Sequence, residues 1–253
     1  MTIAEVLKSR HSTRSYSTRE ISDDIIKKIK AEITLINTVE AGMHFSLVED
    51  SPDAFEGFGK SYGMFSGVRN YIAAVVELSY PDTYERAGFF GEQLVIKATE
   101  LGLGTCFVGG TFDSASVPVQ LRAGWKILFV ITIGYPAEKS QTLISGLAMK
   151  MIHRHNRKPA DFFEKVDMGY EKAISLYPYL EDGLEALACA PSTLNHQPVR
   201  IYVEQVADET LLCAKVDKPD NTDNLIDLGI GKYNFALATG GVWNWGNGGS
   251  FVK

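Results

Sequence analysis

Two short stretches of this sequence concentrate groups suited to holding a ligand. The first is Arg10-His11-Ser12-Thr13-Arg14. Two guanidiniums and two hydroxyls within five residues suit a phosphate, through charge-assisted hydrogen bonds and planar fork geometry. The second runs Ala190-Pro191-Ser192-Thr193-Leu194-Asn195-His196-Gln197-Pro198. Its hydroxyls and amides can read the heteroatom edge of a planar heterocycle. Each stretch also has a plainer reading. Arg10 can simply complement the end of a helix while Arg14 is solvated, and the second stretch can be an ordinary polar helix-to-strand connection.

Other apparent motifs fail on context. Gly102-Leu103-Gly104 follows a helical pattern and precedes a strand, whereas a dinucleotide fingerprint needs strand, turn, then helix. Gly59-Lys60-Ser61 resembles the end of a phosphate loop, but Ala54 stands where its first glycine belongs. His153 and His155 have no nearby carboxylates or thiols to complete a metal site. The chain has no GxSxG elbow, HExxH helix or EF-hand loop, and no evident acid–base or nucleophilic machinery. Chemistry carried by a cofactor fits that absence.

The elements that must position these groups are readable from pattern. Thr2 and Glu5 form a capping box that opens a short helix ending near Ser9. Ser22 starts a second helix with Ile25, Ile26, Ile29 and Ile33 at helical spacing. Residues 44–49 read as a strand, and 51–65 as helical at first, with Gly57, Gly59 and Gly63 turning its end into a loop. YIAAVVEL (71–78) and KILFVITI (126–133) read as buried strands. Between them lies a long helix, 82–101, with Phe89, Phe90, Leu94, Ile96 and Leu101 expected in the core, then the glycine-rich turn GLGTCFVGG. A polar stretch to about Pro159 holds the basic run from His153 to Lys158 and is the one convincing linker. Beyond it come a helix near 180–189, strands at 200–204 and 210–214, a helix near 224–238 and an aromatic, glycine-rich tail. Irregular alternation of this kind predicts an α+β fold with a mixed sheet.

Composition sets the outer bounds. With 253 residues, 45% of them hydrophobic, the chain can build a sizeable core, which excludes disorder and repetitive fibrous classes. A net charge of −6 argues against a nucleic-acid or anionic-membrane partner. No stretch has the roughly 18 consecutive apolar residues of a spanning helix. The start, MTIAEVLKSR, places Glu and Lys where a leader would be apolar, so a cytoplasmic chain is expected. Cys106, Cys189 and Cys213 are too few and too scattered for a disulfide framework and read as small apolar fillers.

A weak internal repeat is present. Shifting residues 23–50 by 155 positions lays helix on helix and FSLVED on RIYVEQ. Shifting 91–107 by 138 lays GEQLVIKATELGLG on GIGKYNFALATGGV. Identities are sparse, Val48/Val203 and Gly91/Gly229 among them, but the order of elements matches, and a duplication explains that order.

Taken together, the motifs resemble those of the nitroreductase family of FMN-dependent oxidoreductases. RHSTR fits that family's Arg-x-Ser-x-Arg/Lys phosphate motif after the first helix, and APSTLNHQPV fits its APSxxNxQPW segment except for Val199 at the aromatic position. ELGLGTCFVGG, IGYP at 133–136, and His155-Asn156-Arg157-Lys158-Pro159 are similar to further family elements. The order departs from the family, however. There the APSxxNxQP segment follows the second helix, around residues 36–43, where this chain has LINTVEAG. It occurs instead 155 residues later, at the shift of the repeat, while the second half lacks an arginine motif around 165–169.

Because the family's homodimers bind FMN with motifs from opposite subunits, the resemblance implies a single-chain pseudo-dimer. Its degenerate halves would be residues 1–158 and 159–253 sharing one core, related by an internal pseudo-two-fold, with one FMN per chain. It further implies that Arg10 and Arg157 neutralise the FMN phosphate with His155 beside them. His11, Ser12 and Arg14 would hold the ribityl chain and pyrimidine end, and Pro191, Ser192, Thr193 and Asn195 would line the ring. Gly109 and Gly110 would bring a backbone N–H to flavin N5, since glycine lets the main chain approach closely. The family's lysine near the flavin N1/O2 edge is replaced here by Tyr62-Gly63-Met64-Phe65-Ser66, with Lys60 upstream. The implied activity is ping-pong electron transfer from NADH or NADPH to a small acceptor such as a nitroaromatic or quinone. The alternative, motivated by that missing lysine and the lost second site, is a flavin-binding or sensing protein without turnover. A monomeric pseudo-dimer with small-molecule partners is expected.

Overall fold

The computed structural model describes residues 1–56, 61, 63–138 and 157–253. The helices and strands form two compact units. One holds Ser9–Thr83 and the chain from Gln93 to residue 138; the other holds Met1–Lys8, Tyr84–Glu92 and residues 157–253.

The first of these is built on an antiparallel sheet in the order β1-β2-β4-β3, from β1 (Met43–Val48), β2 (Asn70–Glu77), β3 (Gly104–Val108) and β4 (Trp125–Gly134). The central position of β2 explains its unbroken apolar run: Tyr71 to Val76 are all buried, as a strand covered on both faces requires. Helix α2 (Asp23–Val39) packs beside β1 and buries Ile29, Ile33 and Ile36. Ile25 and Ile26, at its start, are only half-buried. Its Asn37 closes the sheet edge: the amide accepts from Phe45 N (2.8 Å) and donates to Phe45 O (2.9 Å), standing in for a missing strand. The segment after Ser51 begins with a 3-10 turn, Pro52–Ala54, and residues 57–60 and 62 of the stretch expected to be helical at first lie outside the described residues. GLGTCFVGG is likewise not one long turn, since its centre is β3, paired along β4 from Gly104↔Gly134 to Val108↔Val130.

The other unit carries a mixed sheet. β5 (Phe163–Glu164) runs parallel to β6 (Val199–Val206), and β7 (Glu209–Val216) pairs antiparallel with β6. The expected mixed sheet is therefore found here, separate from the antiparallel one. Helices α4 (Tyr170–Leu176), α5 (Leu180–Ala188) and α6 (Thr222–Thr239) cover it, and a two-stranded ribbon, β8 (Val242–Trp243) with β9 (Phe251–Val252), ends the chain. Phe235, Trp243 and Phe251 form a mutual aromatic cluster with ring centroids 4.8–5.2 Å apart, which accounts for the aromatic tail.

The N-terminal helix α1 (Ile3–Ser9) opens on the predicted capping box: Glu5 N donates to Thr2 Oγ1 and Thr2 N to Glu5 Oε2. Helix α3 (Thr83–Glu100) follows β2. Its Leu94, Val95, Ile96 and Ala98 are buried, whereas Phe89 and Phe90 are half-exposed, Phe89 meeting the edges of Tyr233 and Trp245. Within Tyr84–Glu92, α3 meets α6 backbone to backbone. A Cβ at Gly229 would collide with the Glu85 carbonyl, and one at Gly88 with the Ile226 carbonyl. Such contact needs glycine on both helices.

Candidate cofactor site

The segment after α1 is fixed against β3. Ser12 forms a parallel bridge with Thr105, and Thr13 N donates to Thr105 O at 2.8 Å. Tyr16 clamps it further, its hydroxyl donating to Thr13 O (2.8 Å) and sharing a 2.6 Å hydrogen bond with Thr132 Oγ1. Burial pushes the Tyr16 phenol well above its usual range, so it stays protonated as a donor. Arg10, Ser12 and Arg14 then converge on Cys106. Burial raises that thiol's pKa, while Arg14, a hydrogen bond from Ser12, and Arg10 pull it back down. This is the alternation that Arg-x-Ser-x-Arg produces when the chain runs beside a strand. Arg10 Nε is buried without a hydrogen-bond partner, and Thr13 Oγ1 is too. His11 is exposed, its Nδ1 3.1 Å from Ser9 O.

Gly104, which ends the LGLG string, serves this segment rather than a phosphate. A Cβ there would strike Thr13 Oγ1 and press on Pro136. Gly104→Ala is expected to push Thr13 off β3, costing about 1–3 kcal/mol of stability by overpacking. Ligand affinity at Arg10–Arg14 should weaken with it. A melting curve and a ligand titration on this one variant check both effects.

Gly109 and Gly110, just beyond β3, differ in kind. Both are exposed, neither has a positive φ, and a Cβ on either would meet nothing within 4 Å. Among the described residues nothing demands glycine at either position.

The second predicted segment is the connection from α5 to β6. A 3-10 turn, Thr193–Asn195, is hung from α6: Thr193 N donates to both carboxylate oxygens of Asp227 at 3.1 Å. Gln197 N donates to Ser192 Oγ (2.9 Å), and Arg157 N donates to Gln197 Oε1 (3.0 Å). Three of its residues sit in the left-handed region, Leu194 (φ 50°), Asn195 (φ 56°) and Gln197 (φ 50°). Asparagine tolerates that region; for the other two the cost is about 1–2 kcal/mol each. Pro191 and Ser192 are half-buried, and Thr193 and Leu194 face outward.

Arg200 is a cation beside this loop that the sequence reading did not single out. It opens β6, half-buried, with Nη1 donating to Gln197 O (2.9 Å) and Val199 O (2.6 Å). Burial lowers its pKa and the nearby Arg157 guanidinium lowers it further, so two cations stand close together at this loop. A charged residue at the head of an apolar strand was the available signal.

The structure thus gathers Arg10, Ser12 and Arg14 at one place, and Arg157, Ser192, Thr193 and Gln197 at another. His155 lies outside the described residues, as do Lys60 and Tyr62 of the segment standing in for the family's lysine. Among the described residues no group of His, Cys, Asp or Glu could hold a metal ion, and no helix is long and apolar enough to cross a membrane.

With this geometry in hand, the fold is recognisable as the nitroreductase fold. The crystal structure of a putative nitroreductase from Thermotoga maritima aligns over 99% of this chain and 92% of that one, with a TM-score of 0.62 at 21% identity. The family described as Putative TM nitroreductase matches residues 2–239, and the chain belongs to it. Shorter chains align less closely. An FMN-dependent nitroreductase from Clostridium difficile R20291 gives a TM-score of 0.43 at 20% identity, over 60% of this chain and 98% of that one. A nitroreductase with bound FMN from Desulfitobacterium hafniense gives 0.44 at 17%, over 56% and 93%. No curated protein sequence matches the chain.

Proposed function

We propose that this protein is an FMN-dependent oxidoreductase that passes electrons from NADH or NADPH to a small acceptor, a nitroaromatic or a quinone, in ping-pong fashion. The observation that carries the reading is the convergence of Arg10, Ser12 and Arg14 around Cys106, with Arg10 Nε buried and unpartnered. Arg10, with its unpartnered Nε, fits a phosphate dianion, and Ser12 and Arg14 fit the polar chain and ring edge attached to it. The open Gly109-Gly110 surface fits a ring lying over bare main chain, and the polar loop Pro191–Asn195 fits a heterocycle edge.

FMN, when bound, supplies hydride acceptance and donation, so no protein side chain has to be reduced or oxidised. The chain's own groups then bind and orient. Arg10 and Arg157 neutralise the phosphate, with His155 contributing a donor. His11, Ser12 and Arg14 hold the ribityl chain and pyrimidine end. Pro191, Ser192, Thr193 and Asn195 line the ring, and Gly109 or Gly110 offers an N–H at its reactive nitrogen. On this reading the chain descends from two fused subunits, residues 1–158 and 159–253, and holds one FMN. The succession of helix and strand in α2–β1 and α5–β6 supports that descent.

Titrating the purified chain with FMN tests the binding: flavin fluorescence should quench and saturate at one equivalent. Excess NADH or NADPH without oxygen should then bleach the flavin absorbance, and a nitroaromatic or quinone should restore it. Quenching without bleaching would overturn the enzymatic reading in favour of a binding or sensing protein. No quenching would overturn the flavin reading itself.

A further inference from the structure

We infer that Asp227 is a positioning residue for the flavin-facing loop: from α6 it holds Thr193 N–H and so keeps Leu194, Asn195 and Gln197 in the left-handed conformation that shapes the loop for its ligand. The inference deepens the flavin reading and rests on it for the identity of that ligand.

Three residues at positive φ within four positions would relax toward ordinary backbone if nothing held them. Four hydrogen-bonding contacts oppose that relaxation. Ser192 Oγ accepts from Gln197 N, Gln197 Oε1 accepts from Arg157 N, Arg200 Nη1 donates to Gln197 O, and Asp227 takes Thr193 N on both oxygens. Those from Ser192 and Arg200 stay within the loop and its immediate flanks, and Arg157 N reaches Gln197 from the segment before β5. Asp227 ties the start of the turn to a helix whose next residues, Leu228 to Lys232, are all buried. The carboxylate is itself only 3% exposed and has no cationic partner among its recorded interactions. A lone buried carboxylate on a backbone N–H is costly to keep, and an apolar residue would pack the same position without that cost. Its presence is explained by what it holds.

The surroundings make this hold dependent on pH. Burial pushes the Asp227 carboxyl up to about 7, Asp223 one turn earlier adds to the rise, and the Thr193 N–H opposes it. Of the charged side chains on α6 and the elements packed on it, Asp223 is the one whose charge acts on Asp227. On α3, Glu85 holds Lys232, Arg86 lies 4.3 Å over the Trp245 ring, and Glu92 is buried. On α5, Glu181, Asp182 and Glu185 are exposed; on β6, Arg200 is engaged by carbonyls; on β7, Lys215 is engaged by Glu164; β8 has no titratable group. Within α6, Lys232 is held by Glu85, and His196 of the loop is exposed. The folded pKa lies above the ordinary carboxyl range, so this group's contribution to stability falls as pH rises from about 4 through 7. Its grip on Thr193 strengthens over the same interval, because an ionised acceptor makes the stronger hydrogen bond. Fold stability and loop order are therefore driven in opposite directions by one proton.

The Asp227→Asn variant separates the two. Asn keeps the shape and one acceptor without the charge. At pH 8 it should melt at or above the wild-type temperature yet bind FMN about fivefold more weakly, and the gap should close at pH 6. In the flavin-free chain, the Thr193 amide resonance should shift with pH between 6 and 8 in wild type and stay still in Asp227→Asn. Equal FMN affinity of the two proteins at pH 8 would overturn the inference, and so would a Thr193 amide that ignores pH in wild type. If neither protein binds FMN, the flavin reading fails on its own, and the amide titration still decides whether Asp227 holds the loop.

Discussion

Lys232→Ala is expected to lower the melting temperature by about 10 °C. Lys232 is fully buried on α6, and its ammonium donates to Glu85 Oε1 at 2.5 Å and to the carbonyls of Asn244 and Gly246 at 3.0 Å. Glu85 Oε2 in turn accepts from Gly246 N at 2.7 Å. One ion pair therefore ties α3, α6 and the tail together. Removing one partner leaves a buried carboxylate uncompensated, which costs about 3–5 kcal/mol. For a chain of this size each kcal/mol moves the midpoint by about 2–4 °C. Glu85→Gln should also destabilise, since it keeps one acceptor for Lys232 but turns an NH2 donor toward Gly246 N and leaves the buried ammonium without a counter-charge. The double variant Lys232→Met with Glu85→Gln should recover part of the loss, the mark of coupled residues. A Lys232→Ala midpoint within 2 °C of wild type would refute this account.

No local pattern announces that pair, because its members lie 147 positions apart. What α6 does show in sequence is a helix apolar nearly all round yet carrying Asp227, Lys232 and Asn234, and such a helix is a buried one whose polar residues need partners. That signal says the partners exist without saying who they are. Elements fixed by local physics were legible. The Thr2–Glu5 capping box forms as read, and β2 and β4 follow from their apolar runs. Elements that depend on distant pairing were not. β3 is five residues between glycines and becomes a strand only because β4 is there to pair with it. For the same reason context excluded Gly104 from a dinucleotide turn without revealing its use as clearance for Thr13.

The candidate site was legible to a similar degree. Residue types and order located Arg10–Arg14 and Pro191–Asn195, but not what holds them. Tyr16 comes from the same segment, whereas Asp227 and Arg200 come from other elements. The left-handed turn at 194–197 contains no glycine, so nothing in its composition advertises a strained backbone. Candidate ligand groups are readable as a list of donors, while the hydrogen bonds behind them are a property of the folded chain.

Replacing both arginines of the first segment, Arg10→Ala with Arg14→Ala, is expected to weaken FMN binding by 100-fold or more while leaving the fold intact. A hydrogen bond to a charged group contributes about 1.5–3 kcal/mol. Losing one such contact to the phosphate, from Arg10, and one to the ribityl or pyrimidine end, from Arg14, therefore corresponds to about two orders of magnitude or beyond. The fold should not suffer in proportion. Arg10 Nε is buried without a partner, so its removal relieves an unsatisfied donor, and the segment itself is held by Tyr16 and Thr105 through main-chain groups. A structural arginine would show the reverse pattern, a lowered melting temperature with affinity little changed. Arg10→Lys separates charge from shape, since it keeps the former and loses the planar fork, and it should fall between wild type and the double variant. The wild-type affinity should also decline with added salt, more steeply than that of the double variant, because the variant has lost Arg10 from the phosphate and a second cation from the ligand. If the double variant binds FMN within threefold of wild type, Arg10 and Arg14 are helix-end and surface charges, and the phosphate assignment falls.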